Sequence, residues 1–198
     1  MADDKRGRDR QARNADRRQW KREIAMELER GDETEPPIDE TDLEALETEL
    51  EDLSFPATGA EVVETIGDQQ IASPDGSYTV EELVPETEEV FESPDVVRIR
   101  LQRPMIAAAM KRIVEASDNV QHVDLGTSQH ETYEKTLRAL KAIDADDDDE
   151  GVTVITDWIV EHIREKQKLP GSRAVRREAA KFCRENGYEI RNDEWLGV

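Results

Sequence analysis

Arg173, Arg176, Arg177, Lys181 and Arg184 crowd one short stretch near the end of a 198-residue chain. Side chains three and four apart are neighbours on a helix. A helix over 172–187 therefore gathers these cations on a solvent-facing sector, opposite Val175, Ala179 and Phe182. Guanidinium groups so placed suit phosphates and the guanine edges of a major groove. The turn Leu169-Pro170-Gly171-Ser172 follows a second helix over 152–168, and the pair has the shape of a helix-turn-helix. A second basic island lies at 5–22, where Arg13, Arg17 and Arg18 can neutralise phosphates and Trp20 can stack or anchor.

Other residue types with chemistry are dispersed. His122, Asp124 and His130 fall within nine residues, but their spacing matches neither a helical H-x-x-x-H pair nor a zinc finger. The acidic run Asp144 to Glu150 lacks the glycine and closing glutamate of a calcium loop and reads as a solvated linker. Cys183 stands alone, beside Phe182, as a small core residue. Gly126-Thr127-Ser128 is a helix start without the glycines of a phosphate loop. No nucleophile-base arrangement emerges, so the chain reads as a non-enzymatic protein without metal or cofactor.

Charge sharpens the contrast. The chain carries 48 acidic against 27 basic residues, a net charge of −21, and Arg outnumbers Lys 19 to 8. Residues 31–97 hold 22 acids and no Lys or Arg, whereas 163–184 hold eight basic and two acidic residues. In molar salt the Debye length shrinks to about 3 Å and self-repulsion fades. This composition is that of a protein from a salt-filled cytoplasm. Low hydrophobicity with high net charge is also the signature of disorder, but regular stripes and caps argue for a fold. The longest apolar run, Met105 to Met110, falls far short of a membrane span. The charged N-terminus has no apolar core of a secretory signal, and a lone cysteine excludes an internal disulfide.

The elements that must position these residues are mainly helical. Residues 1–10 read as a mobile arm, and a helix from Gln11 carries Ala12, Trp20, Ile24 and Leu28 up to Gly31. After Pro36-Pro37, Thr41-x-x-Glu44 is a capping box opening a helix with Leu43, Leu46, Leu50 and Leu53 on one stripe. Thr58-x-x-Glu61 opens a helix closed by Gly67, and Thr79-x-x-Glu82 opens a short one. Between them Pro74-Asp75-Gly76 is a hairpin turn. Ser93-Pro94 caps a helix over 94–103, although Val97, Ile99 and Leu101 alternate like a strand. Pro104 restarts it, with Ile106, Met110, Ile113 and Val114 apolar, and 117–127 is a loop. Ser128-x-x-Glu131 is a fourth capping box, before Tyr133, Leu137 and Leu140. In the last helix Ser172 is the N-cap and Gly187 the C′ residue. The expected fold is α+β, mainly helical, with a basic arm and helix (1–35), a central small acidic domain with a β-hairpin (36–143), an acidic linker (144–151) and a helix-turn-helix-like unit (152–198).

Three runs carry a resemblance: Phe55-Pro56-Ala57-Thr58-x-x-Glu61-Val62-Val63, Gly76-Ser77-Tyr78-Thr79-Val80-x-Glu82-Leu83 and Phe91-Glu92-Ser93-Pro94-Asp95-Val96-Val97-Arg98. Together, over about residues 50–115, they resemble a small haloarchaeal domain of unknown function. The whole chain resembles a longer haloarchaeal protein with an added basic N-terminus and a C-terminal helical unit. The resemblance implies a halophilic, cytoplasmic setting and brings no activity, cofactor or catalytic residue. Leu169-Pro170-x-Ser172-Arg173 is similar to the opening of a helix in winged-helix regulators.

Two functions compete on these grounds. One is a nucleic-acid-binding or regulatory protein that contacts DNA or RNA through Arg173, Arg176, Arg177, Lys181 and Arg184, helped by Arg13, Arg17 and Arg18. The other is a protein-interaction adaptor whose Trp20, Ile24 and Leu28 stripe and leucine stripe 43/46/50/53 dock on a partner or on each other. In either, the basic islands can instead pair with the acidic 31–97 stretch.

Overall fold

The stripes and caps organise the chain from residue 37 onward. A computed structural model describes residues 37–51, 53–74, 76–121, 123, 125–143 and 150–188. The expected arm and helix at 1–35, with Arg13, Arg17, Arg18, Trp20, Ile24 and Leu28, lie outside the described residues, as do His122, Asp124, the linker residues 144–149 and the tail from 189.

A 3-10 turn, Glu40–Leu43, runs into α1, Glu44–Glu51. Its stripe buries Leu43, Leu46 and Leu50, and Leu53 packs partly against them. The short strand β1, Ala57–Thr58, leads into α2, Gly59–Ile66. Thr58 caps α2 as expected: the Glu61 amide donates to its Oγ1 at 3.2 Å, and the Thr58 amide donates to the Glu61 carboxylate at 2.7 Å. These bonds satisfy two donors that a helix start otherwise leaves open, and they hold the Glu61 carboxyl below its usual range. Gly59 is needed for a close approach, because a Cβ there would sit 2.0 Å from the Pro85 carbonyl oxygen. Gly67 ends α2 in a right-handed conformation (φ −54°), its amide donating to the Val63 carbonyl, and not in the left-handed conformation of a glycine stop.

The hairpin forms as expected. Strand β2, Gln70–Ser73, pairs with β3, Gly76–Thr79, in antiparallel register from Gln70 opposite Thr79 to Ser73 opposite Gly76. Then come α3, Val80–Leu83, and β4, Val90–Phe91. β4 pairs antiparallel with β1, Ala57 opposite Phe91. This second ladder has no counterpart in the sequence reading, because two-residue strands are too short to show alternation. The contest over 94–103 resolves as α4, Pro94–Leu101. Val97 and Leu101, four apart, are fully buried, whereas Ile99 between them is 50% exposed.

Four longer helices follow: α5, Pro104–Asp118; α6, Thr127–Ile143; α7, Glu150–Lys166; and α8, Ser172–Asn186. Arg112 on α5 pairs with Asp157 on α7, and residues 115–120 line one cleft with 160–167, so α5 and α7 run in the same direction. Lys141, late in α6, reaches Met105, early in α5, so α6 runs opposite to α5. Two expected caps shift toward the N-terminus, by two residues in α6 and by one in α8. α6 starts at Thr127, with the Gly126 carbonyl accepting from the amides of Gln129 and His130, so Ser128 lies inside the helix. α8 has Gly171 as its N-cap, so Ser172 is already helical and no side chain caps it. At the other end Gly187 is left-handed (φ +76°), the conformation expected of a C′ glycine.

Two apolar clusters hold these elements. The first joins Ile38, the α1 leucines, Val62, Ile71, Leu83, Phe91, Val97 and Leu101. The second joins α5 to α8 through Met110, Ile113, Tyr133, Leu137, Ile155, Ile159, Ile163, Val175 and Phe182. Side chains on both sides of 144–149 thus share one core. Helix α5 serves both clusters, with Ala107 in the first and Ile106, Ala109, Met110 and Ile113 in the second. The described residues all lie within one compact unit, Pro36–Val198.

Candidate functional site

The basic helix α8 is amphipathic in the expected sense: Val175, Ala179, Phe182 and Cys183 are buried against α6 and α7. At 3.6 residues per turn, Arg173, Arg177, Lys181 and Arg184 fall within a sector of about 80°. All four are exposed. Arg173, Arg177 and Arg184 have no ion-pair partner among the described residues. Lys181 is paired, its Nζ donating to Glu178 at 2.8 Å, and Glu178 with Glu185 holds the ammonium above its usual pKa.

Arg176 departs from the expected arrangement. It lies between Ala180 and Cys183 around the helix, and both of those are buried. Its side chain is accordingly half-buried, and its Nε donates to the Ser172 carbonyl at 3.4 Å. The exposed cationic row is therefore Arg173, Arg177, Lys181 and Arg184, with Arg176 on the buried flank. The periodicity of 3.6 carried this information. Ala180, small and uninformative by type, concealed it.

The start of α8 is held from behind. Tyr133 on α6 donates its hydroxyl to the Pro170 carbonyl, and Gln129 Nε2 approaches the same oxygen at 3.4 Å. Burial pushes the Tyr133 phenol up to about 12, so it stays a donor across the physiological range.

A second charged constellation escaped the sequence reading. Arg100 on α4 forms a two-pronged bond to Glu89, at 3.0 and 2.8 Å, and lies over the Phe91 ring, 4.8 Å from its centre. Its Nη2 also meets His130 Nε2 at 3.2 Å. On α6, His130, Glu134 and Arg138 follow one another at four-residue spacing, and Arg138 bonds Glu134. That spacing, beside the Tyr133 and Leu137 stripe, was a readable signal on α6. Glu89 and Arg100 were not readable as its partners, since 30 residues separate Arg100 from His130. His130 belongs to this network.

Between α5 and α7 runs an open cleft of about 580 Å³, lined by charges of both signs, Arg112, Glu115 and Arg164, over Ala116, Val120 and Val160. Arg112 is engaged by Asp157 at 2.6 Å. No helix among the described residues is long and apolar enough to cross a membrane. The leucines of the α1 stripe are buried in the first cluster.

Comparison with known proteins adds one assignment. Residues 40–112 match a family of unknown function, DUF5789. The matched segment begins at the 3-10 turn and ends inside α5, so it takes in the first cluster except Ile38, together with Glu89 and Arg100, and it excludes α6, α7 and the cationic row of α8. No curated protein and no solved structure matches the chain.

Proposed function

We propose that the protein is a non-enzymatic nucleic-acid-binding or regulatory protein of a halophilic archaeal cytoplasm, with α8 as its contact surface. The reading is carried by one observation: Arg173, Arg177 and Arg184 share an exposed sector and have no acidic partner among the described residues, in a chain of net charge −21. With acids this abundant, a row of unpaired arginines is available for an external anion. The arginine-rich, lysine-poor acidity supports the halophilic setting.

Salt limits what charge can contribute. Each neutralised phosphate lowers the logarithm of affinity by about 0.9 per tenfold rise in salt. At molar salt, four such contacts hold little by attraction alone, so binding there rests on hydrogen bonds from the guanidinium forks to bases and phosphates.

The test is crosslinking and pull-down at molar KCl, then nuclease treatment, comparing wild type with Arg173→Gln/Arg177→Gln/Arg184→Gln. Nucleic acid recovered by wild type and lost by the variant is the expected result. Equal recovery by both sinks the reading. Arg176→Gln should bind nearly as wild type does, because that side chain lies on the buried flank. The adaptor alternative draws nothing from Leu43, Leu46 and Leu50, which are buried, and rests on Trp20, Ile24 and Leu28 alone.

A further inference from the structure

Arg100 is engaged from three sides. Glu89 takes both prongs of its fork from one side, the Phe91 ring supports it from beneath, and His130 meets it from α6. Because Arg100 can only donate, the contact at 3.2 Å requires a lone pair on His130 Nε2. The imidazole is therefore neutral in this geometry, with its proton on Nδ1, the side facing Glu134 at 3.8 Å. A proton added at Nε2 would remove the acceptor and set two cations against each other.

We propose that Arg100 and His130 form a proton-sensitive clasp between α4 and α6, closed while the imidazole is neutral and opened when it is protonated. The clasp joins the DUF5789-matching segment to the helix that follows it, since Glu89 and Arg100 lie within 40–112 and His130 beyond it. One turn of α6 does two jobs: His130 faces α4, while Gln129 and Tyr133 hold Pro170 ahead of α8. Loosening this turn therefore also releases the support at the start of α8.

The charges facing His130 pull both ways. Glu89 from the β4 side, at 3.5 Å, with Glu131 and Glu134 on its own helix, favour the imidazolium. Burial and Arg100 oppose it, with Arg103 in the same recess and Arg138 beyond Glu134. Burial and Arg100 prevail, so the imidazole titrates below its ordinary 6.5. The unfolded chain then takes up a proton near pH 6.5 while the folded chain does not. Stability from the clasp is complete above that pH and is lost as pH falls from 6.5 through the folded value.

Two measurements on the full chain test this. In an NMR titration of wild type at constant salt, His130 is expected to titrate below 6.5, with the amides of α4 and the first turns of α6 shifting at the same midpoint. The second compares melting of wild type and His130→Gln, whose amide oxygen can accept from Arg100 without titrating. Between pH 7.5 and 5.5 the wild type is expected to lose about 2–4 °C more than the variant. A His130 midpoint at or above 6.5, or amide shifts confined to α6, overturns the proposal. So does an equal loss of melting temperature in the two proteins. The NMR arm needs no substitution, so a poorly folding variant leaves the proposal testable, and neither arm depends on nucleic-acid binding.

Discussion

Arg100 and Arg177 are the same residue in opposite circumstances. Arg100 is enclosed by a carboxylate, an aromatic face and an imidazole, with only 13% of its side chain exposed. Arg177 projects from α8 into solvent with no partner among the described residues. A guanidinium held by partners on several elements fixes the relation between them. One whose donors are open leaves the fold indifferent and the surface ready for an anion. The two environments separate roles that composition alone counts as one.

Removing each kind of arginine should show the difference in stability. Arg100→Ala strips the fork from a largely buried Glu89 and is expected to cost about 3 kcal/mol, read as a lower urea midpoint with an unchanged slope. Arg100→Lys should recover only part of this, because an ammonium cannot make the two-pronged bond. Tyr133→Phe removes one donor from the Pro170 carbonyl and is expected to cost about 1 kcal/mol, by the same measurement. Least of all, Arg173→Gln/Arg177→Gln/Arg184→Gln should leave stability within about 0.5 kcal/mol of wild type per substitution. In the same variant the slope of log affinity against log salt should become shallower by about 0.9 for each phosphate contact removed. A large stability loss in the triple variant would place those arginines with Arg100 and break the comparison.

Local chemistry was the legible part of this chain. The Thr58–Glu61 capping box, the β2–β3 hairpin, the Pro94 and Pro104 helix starts and the leucine and isoleucine stripes are written within a few residues, and each forms. Two caps fall earlier than their hydroxyls suggest, because Gly126 stands two positions before Ser128 and Gly171 one position before Ser172. The β1–β4 ladder and the Arg100 clasp were illegible for a different reason. Both join residues from 11 to more than 30 positions apart, and their partners are ordinary charged or apolar residues without local periodicity. On α8 the cationic row was legible, and only the burial of Ala180 moved Arg176 off it.

Helix α5 carries a consequence for how the molecule comes apart. Ala107 belongs to one apolar cluster and Met110 and Ile113 to the other. Neither cluster can melt without stripping a face from the helix that walls its neighbour. Heating should therefore produce a single calorimetric transition, with the van't Hoff and calorimetric enthalpies equal over residues 37–188. A fragment cut at residue 112, where the family match ends, would split that wall, leave Met110 bare and precipitate.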